Sequence, residues 1–249
     1  MTKNYRMQIS YDGTKYKGWA KQNSTDSTIQ GKLEQLLNRL SYGEKPVTVI
    51  GAGRTDAGVH AKNMTCNAYL STSMDTATLK KKMNEYLPED ITVLEIKEAG
   101  THFHSRFNAK GKTYCYTCYY SDHKPIFDRK YVYNLSEFPN LSVMRKAAAY
   151  LTGKNDYKSF CGNPHMKKST IRTVDLILIE QDGNYLRFFY HGDGFLQHMV
   201  RILTGTLLEV GFGKRSPESM KELLQMKDRS KAGFTAPAQG FCLESVDYN

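Results

Sequence analysis

The chain has 249 residues, of which 40% are hydrophobic and 24% are charged. This composition predicts a soluble protein with enough core for one large or two ordinary domains. The formal net charge of +10 favours an anionic partner such as nucleic acid over a neutral or cationic ligand. The N-terminal segment lacks an apolar stretch typical of a signal peptide, and no run approaches the length of a membrane span. We therefore expect a cytoplasmic protein that is not bound to a membrane.

The five cysteines are an odd number and lack the spacing of a disulfide framework. Cys115 and Cys118 are the one close pair, but in a predicted strand an odd spacing turns the two thiols to opposite faces. The sequence has no second Cys or His pair at zinc-finger spacing, and it predicts no metal. It also lacks a nucleotide-binding motif, so no cofactor is expected.

Alternation of apolar and polar residues predicts a first strand from Tyr5 to Tyr11. The loop that follows, residues 11–19, combines glycines, lysines and aromatics. It is either an ordinary turn or a nucleic-acid contact, because cations meet phosphates and rings can stack on bases. The pattern then predicts a helix ending at Leu40, a strand over 46–50, a strand over 63–70, a helix over 79–87 and a strand over 91–96. The order β-α-β-β-α-β is that of a ferredoxin-like unit.

The second half begins with His102 to His104, which we expect to pack or to face RNA. Residues 106–120 alternate, and their even positions carry basic and aromatic residues together. This pattern predicts either a nucleic-acid platform or, equally well, a tyrosine-rich strand with snorkelling lysines. The remaining predicted elements are a helix over 141–151, a hairpin over 171–191, a helix over 195–210, a short helix over 216–226 and a strand over 240–248.

Because the second half approximately repeats the element order of the first, we predict an α+β fold. It would consist of two ferredoxin-like (RRM-like) halves, residues 1–100 and 101–249, with antiparallel sheets joined side by side around a central cleft. In the helix over 195–210, Gly205 would let another backbone come close.

The most distinctive stretch is Gly51 to Ala61, where glycines and alanines surround one acid, Asp56, and one base, Arg54. Small residues let a backbone turn tightly or approach a ligand, and loops at strand ends often carry chemistry. A dinucleotide motif would have glycine at the position of Asp56. From the pattern alone, however, Asp56 is more often an ordinary loop residue that caps a helix or pairs with Arg54.

The stretch Gly53-Arg54-Thr55-Asp56-Ala57-Gly58-Val59-His60-Ala61 resembles the catalytic motif of the tRNA pseudouridine synthase A family. The resemblance covers nearly the whole chain. It includes the signatures Tyr11 to Thr14 and Gly18-Trp19, the segment Gly111 to Tyr116, and the helix start Gly194 to Arg201. Ala20 departs from the family, which often has glutamine there.

This resemblance implies isomerisation of uridine to pseudouridine at positions 38, 39 and 40 in the anticodon stem-loop of tRNA, by a homodimer that needs no cofactor or metal. It implies that Asp56 is the nucleophile, attacking either C1′ or the uracil ring. Tyr114 would stack on the flipped-out uracil, and Arg201 would pair with Asp56 and favour its charged form. Arg54 would contact phosphate or hold the flipped backbone. Phe241 stands where the family usually has a leucine that packs the base from the other side.

Two other functions fit parts of the pattern. One is a non-catalytic RNA-binding protein of the same fold, against which the presence of Asp56, Tyr114 and Arg201 argues. The other is a hydrolase in which Asp56 cleaves the glycosidic bond without rejoining it, which would release free uracil.

Overall fold

The computed structural model describes residues 2–248, a mixed α and β protein. In chain order its elements are β1 (Lys3–Tyr11), α1 (Ile29–Leu40), β2 (Val49–Gly51), β3 (His60–Leu70), α2 (Thr76–Tyr86), β4 (Ile91–Ala99), β5 (Gly111–Tyr119), β6 (Tyr133–Asn134), α3 (Leu141–Tyr150), β7 (Gly153–Asp156), β8 (Ile171–Asp182), β9 (Tyr185–Gly192), α4 (Met199–Gly211), α5 (Ser219–Met226) and β10 (Phe241–Asp247). Among the described residues, no helix is both long and apolar enough to cross a lipid bilayer.

The chain divides into two compact units. The first contains the residues up to Lys110 together with those from Cys242 onward, and the second contains Gly111–Phe241. Residues 101–110 and most of β10 therefore belong with the N-terminal part of the chain. The joining of two sheets around a cleft stays a prediction.

The sheet of the first unit has the order β4-β1-β3-β2, and neighbouring strands in this row are antiparallel. The last strand adds to β3 in parallel, with Cys242 opposite His60. The predicted element order β-α-β-β-α-β is confirmed. Tyr5, Met7, Ile9 and Tyr11 of β1 are buried as their alternation predicted. Thr28 caps α1 by accepting a hydrogen bond from the N–H of Gly31.

The sheet of the second unit has the order β5-β9-β8-β7, with antiparallel pairing along this row. The predicted hairpin is confirmed as β8 and β9, whose connection contains Gly183 with a φ of +56°. Helix α3 packs against α4 and β8, and α4 also packs against β5. The strand that carries Tyr114 is therefore supported from one side by the helix that carries Arg201.

Two predicted elements differ from the structure by four residues or more at one end. The helix over 195–210 begins only at Met199, because His198 has a φ of +59° in the left-handed region, which a helix interior does not allow. The alternating stretch over 106–120 forms a strand only over Gly111–Tyr119. Within this strand the even positions Tyr114, Tyr116 and Cys118 are buried, the last two at 0% exposure, and Lys112 is half-buried. The tyrosine-rich strand is therefore the correct reading, and this strand offers no open platform of tyrosines to nucleic acid.

Candidate active site

Asp56 lies on the loop that joins β2 to β3, residues 52–59, here called the Asp56 loop. Asp56 is half-buried, Arg54 is exposed, and both Thr55 and Val59 are buried. The backbone N–H of Val59 donates a hydrogen bond of 3.2 Å to the carbonyl of Asp56, which makes a tight turn after the acid. Because β3 follows the loop, Asp56 does not cap a helix. The alternative of a helix-capping aspartate is thereby excluded.

A second loop, residues 12–19, holds the Asp56 loop on both sides of the acid; we call it the clamp loop. The N–H of Trp19 donates to the carbonyl of Thr55 at 3.0 Å, and the N–H of Gly58 donates to the carbonyl of Tyr16 at 3.2 Å. At the end of β1, the hydroxyls of Tyr11 and Thr55 form a buried hydrogen bond of 2.8 Å. The backbone is therefore fixed one residue before Asp56 and two residues after it.

The clamp loop packs so closely on the Asp56 loop and on the end of β2 that two positions require glycine. A methyl group on Gly13 would lie 1.9 Å from the carbonyl oxygen of Val59, and one on Gly51 would lie 2.5 Å from the indole of Trp19. Non-bonded atoms do not approach so closely, so a side chain at Gly13 would push the two loops apart and one at Gly51 would displace the ring of Trp19. The glycines thus set the position of the Asp56 backbone.

His60 extends the clamp at the start of β3. Its Nδ1 accepts a 3.0 Å hydrogen bond from the N–H of Gly13 and lies 3.1 Å from a carboxylate oxygen of Asp12. The same oxygen of Asp12 accepts from the N–H of Thr14 at 2.9 Å, which closes the turn after β1. The rings of this segment are packed inside the unit, so they are not available to stack on bases.

These positioning contacts were not predicted from the sequence. The sequence did mark both segments, because Tyr11 to Thr14 and the motif around Asp56 were each recognised as family signatures. Single-sequence periodicity does not show, however, that two loops separated by a helix and a strand are hydrogen-bonded to each other.

Tyr114 lies in the middle of β5, within a group of aromatic rings of the second unit. Its ring stacks on Phe241 with centroids 5.0 Å apart and planes at 27°, and it meets Phe195 edge-on at 5.1 Å and 85°. We call these three residues the aromatic cluster. Tyr114 and Phe241 are each 7% exposed. The structure brings these two predicted residues into direct contact.

This contact bears on how a base could be held. A planar base sandwiched between two rings needs about 7 Å between their planes, which is twice the ~3.5 Å contact distance of carbon atoms. The rings of Tyr114 and Phe241 are closer than that. A base therefore fits between them only after one ring has moved.

Arg201 lies in the first turn of α4 and is half-buried. Its Nε donates a 2.7 Å hydrogen bond to the carbonyl of Ala236, whose N–H in turn donates to the carbonyl of Arg201 at 3.1 Å. The hydroxyl of Tyr116 donates to the next carbonyl, that of Pro237, at 2.7 Å. Burial raises the pKa of Tyr116 far above its ordinary value, so this phenol stays a neutral donor. Together these bonds orient the guanidinium of Arg201.

The segment around Ala236 runs directly over α4. A methyl group on Gly205 would lie 1.9 Å from the carbonyl oxygen of Phe234. The predicted close approach of another backbone at Gly205 is thus confirmed.

The predicted site residues are divided between the two units. Asp56 and Arg54 share one loop of the first unit, whereas Tyr114, Arg201 and Phe241 belong to the second. Within residues 2–248, no group of three or more His, Cys, Asp or Glu side chains is arranged to hold a metal ion.

Comparison with known proteins finds similarity along nearly the whole chain. A family model described as tRNA pseudouridine synthase matches residues 7–108 and 147–249. A tRNA pseudouridine synthase A from Clostridium kluyveri is 42% identical, and the match covers 99% of this chain and 100% of that protein. A tRNA pseudouridine synthase A from Clostridium acetobutylicum is 44% identical with the same coverage.

Among solved structures, one chain of a Cbf5-Nop10-Gar1 complex matches 96% of this chain, which spans 48% of that chain. The identity is 10% and the TM-score is 0.38. A likeness this distant adds nothing to the sequence matches.

Proposed function

The chain belongs to the tRNA pseudouridine synthase family, and from that premise we propose that it acts at positions 38, 39 and 40 in the anticodon stem-loop, with Asp56 as the nucleophile. Membership makes it an isomerase that converts uridine in tRNA. One observation carries the proposal. Asp56 is a half-buried carboxylate whose loop is hydrogen-bonded to the clamp loop on both sides of the acid.

The reaction balances without an external reagent. The bond from N1 to C1′ breaks, the uracil rotates, and a bond from C5 to C1′ forms. The proton that leaves C5 is matched by a proton gained at N1, so substrate and product are isomers. A carboxylate nucleophile divides this exchange into two easier steps, whether it adds to C1′ or to the uracil ring.

A nucleophile reacts fastest when its position is fixed before the substrate binds, because the entropy of orienting it has then already been lost on folding. The hydrogen bonds to Thr55 and Gly58 provide that order for the backbone around Asp56.

The target uridine is stacked in the stem-loop and must be flipped out before it reacts. We propose that the flipped uracil stacks on Tyr114. Because Phe241 now covers one face of that ring, uracil binding either displaces the Phe241 ring or uses the other face. Tyr114 would then also lie where it could help to remove the C5 proton.

Arg54 and Arg201 differ in solvent exposure and in how their side chains are held. Arg54 is exposed on the Asp56 loop, which suits a contact with phosphate or with the flipped backbone. Arg201 is half-buried and oriented by Ala236, which suits support of a carboxylate charge. Its pairing with Asp56 rests on the family resemblance.

The finer fold assignment is also a proposal. The antiparallel order β4-β1-β3-β2 supports a ferredoxin-like first unit, and the hairpin and helices of the second unit are consistent with a related half. A homodimer and a cytoplasmic location follow from the resemblance alone.

Mapping of pseudouridine in tRNA tests the proposed sites. Cells that lack this chain should lose pseudouridine at positions 38, 39 and 40, and the wild-type chain should restore it while the Asp56→Asn variant does not. Retention of pseudouridine at these positions, or its loss elsewhere in tRNA, would refute the assignment. Free uracil released by the purified enzyme would favour the hydrolase instead.

A further inference from the structure

A solvent-exposed phenylalanine is held in one orientation on the first unit. Phe107 is 79% exposed, yet one face of its ring stacks on His104, with centroids 4.1 Å apart and planes at 26°. An exposed apolar ring gains little from folding. A ring supported on one face and open on the other is suited to stack on a further planar group.

The turn that carries Phe107 is closed by hydrogen bonds between His104 and Asn108. The Nδ1 of His104 accepts from the N–H groups of Arg106 at 3.2 Å and Phe107 at 3.3 Å. The N–H of His104 donates to Oδ1 of Asn108 at 2.7 Å, and the N–H of Asn108 donates to the carbonyl of His104 at 3.0 Å. These contacts fix both the imidazole and the backbone beneath the phenylalanine.

Ser105 anchors this turn to the strands that flank the Asp56 loop. It is 0% exposed, its N–H donates to Oδ1 of Asn67 in β3 at 2.9 Å, and its hydroxyl donates to the carbonyl of Ile50 in β2 at 2.8 Å. The hydroxyl of Tyr248 donates to the carbonyl of Ser105 at 2.6 Å. The turn is therefore part of the same framework as Asp56, not a freely moving tip.

The charge of this segment suits RNA. Residues 99–110 contain no acidic residue, and both Arg106 and Lys110 are exposed. Single-stranded nucleic acid is commonly held by cations along its backbone together with aromatic rings that stack on its bases.

We propose that the open face of the Phe107 ring stacks on an unpaired base of the tRNA substrate, one other than the reacting uridine, while Arg106 contacts an adjacent phosphate. The proposal rests on the family's tRNA substrate and not on the role of Asp56. Stacking on a π-face accepts any base, so this contact would add affinity and register without reading sequence.

Affinity for tRNA, measured over a range of salt concentrations, tests the proposal. Phe107→Ala and Phe107→Leu should each bind about tenfold more weakly than wild type, whereas Phe107→Tyr should stay within about twofold. The slope of log K against log salt should not change in these variants, because a ring displaces no counterions. Arg106→Gln should instead reduce that slope by about one.

Tyr86→Ala is the matched control, because Tyr86 is 60% exposed on the same unit and its ring lies beside Lys82. This variant should bind tRNA as wild type does. Fluorescence provides a direct readout of stacking. With 2-aminopurine at successive unpaired positions of the tRNA, wild type should quench at least one position, and Phe107→Ala should lose that quench.

The proposal would be overturned if Phe107→Ala or Phe107→Leu bound tRNA as tightly as wild type. It would also be overturned if Phe107→Ala kept its affinity for tRNA but changed its oligomeric state. The last result would mean that the ring meets a second copy of the chain. Because these readouts measure binding, their failure is distinguishable from loss of the role proposed for Asp56, which is read from pseudouridine formation.

Discussion

The Asp56 loop of the first unit and the aromatic cluster of the second are held by different interactions. Hydrogen bonds to Thr55 and Gly58 fix the loop, and hydrogen bonds weaken steeply with distance and angle. The cluster is held by ring contacts of Tyr114 with Phe195 and Phe241, and rings accept several offsets and tilts at similar energy. The comparison indicates that the loop holds Asp56 in a fixed position, whereas the rings of the cluster can rearrange.

Among variants that keep Asp56 itself, the largest expected effect comes from separating the two loops of the first unit. Gly13→Ala would place a methyl group 1.9 Å from the carbonyl of Val59, and relief of that overlap should cost roughly 1–3 kcal/mol of unfolding free energy. Displacement of the Asp56 loop should also reduce single-turnover activity at least about 100-fold. Gly100→Ala is the control, since its methyl group would meet nothing within 4 Å. Full activity in Gly13→Ala would show that the clamp does not set the position of Asp56.

Arg201 belongs to the second unit, yet the family resemblance assigns it a role in the chemistry at Asp56. It therefore tests whether residues of the first unit alone control the state of Asp56. If it supports the charge of Asp56, Arg201→Met should lose activity most strongly at low pH, where protonation of a carboxylate competes. Its tRNA affinity should change little. Arg54→Met should do the reverse and bind tRNA more weakly with a shallower salt slope.

The measurement for this pair is the pH dependence of single-turnover rates at saturating enzyme, together with tRNA affinity at several salt concentrations. If Arg54→Met changes the pH profile and Arg201→Met weakens tRNA binding, then Arg54 supports Asp56 and Arg201 contacts the RNA backbone. An unchanged pH profile in both variants would mean that neither arginine supports Asp56.

A smaller effect is expected from the hydroxyl pair behind the Asp56 loop. Tyr11→Phe removes the 2.8 Å hydrogen bond to Thr55 and should cost about 1 kcal/mol of stability and about tenfold in kcat with little change in KM. The chain offers a matched control in the second unit, where Tyr190 and Thr204 form a buried hydroxyl pair at 2.9 Å. Tyr190→Phe should lose similar stability but keep its kcat. If Tyr11→Phe and Tyr190→Phe lost the same fraction of kcat, the role of Tyr11 would be purely structural.

The smallest effect concerns the adaptable region. Phe241→Leu removes one stacked ring from Tyr114, which should lower unfolding free energy by roughly 0.5–1.5 kcal/mol and the Tm by a few degrees. Activity should stay within about threefold of wild type, because leucine keeps an apolar contact with Tyr114 and ring contacts tolerate rearrangement. A loss greater than tenfold would show that the cluster needs the Phe241 ring itself.

Sequence reasoning succeeded where structure depends on local pattern. The alternation of β1, helix α1 and the hairpin of β8 and β9 follow from residues close together in the chain, and the Asp56 loop was recognised from its own residues. It failed at the start of α4, since periodicity does not report that His198 adopts a left-handed conformation.

The contacts that shape the candidate site join residues distant in sequence. Phe241 stacks on Tyr114, and the clamp loop is bonded to the Asp56 loop. Neither contact leaves a periodic signal in a single sequence. For the same reason the even face of β5 could not be assigned to core or to surface until its neighbours were known.

The central claim is that Asp56 is the nucleophile and that its role is chemical rather than structural. The most direct test is single-turnover pseudouridine formation by Asp56→Asn at saturating enzyme, with tRNA affinity measured on the same preparation. Loss of a covalent catalyst should raise the activation free energy by several kcal/mol. We therefore expect no detectable pseudouridine and unchanged affinity for tRNA. A rate within tenfold of wild type would contradict the claim.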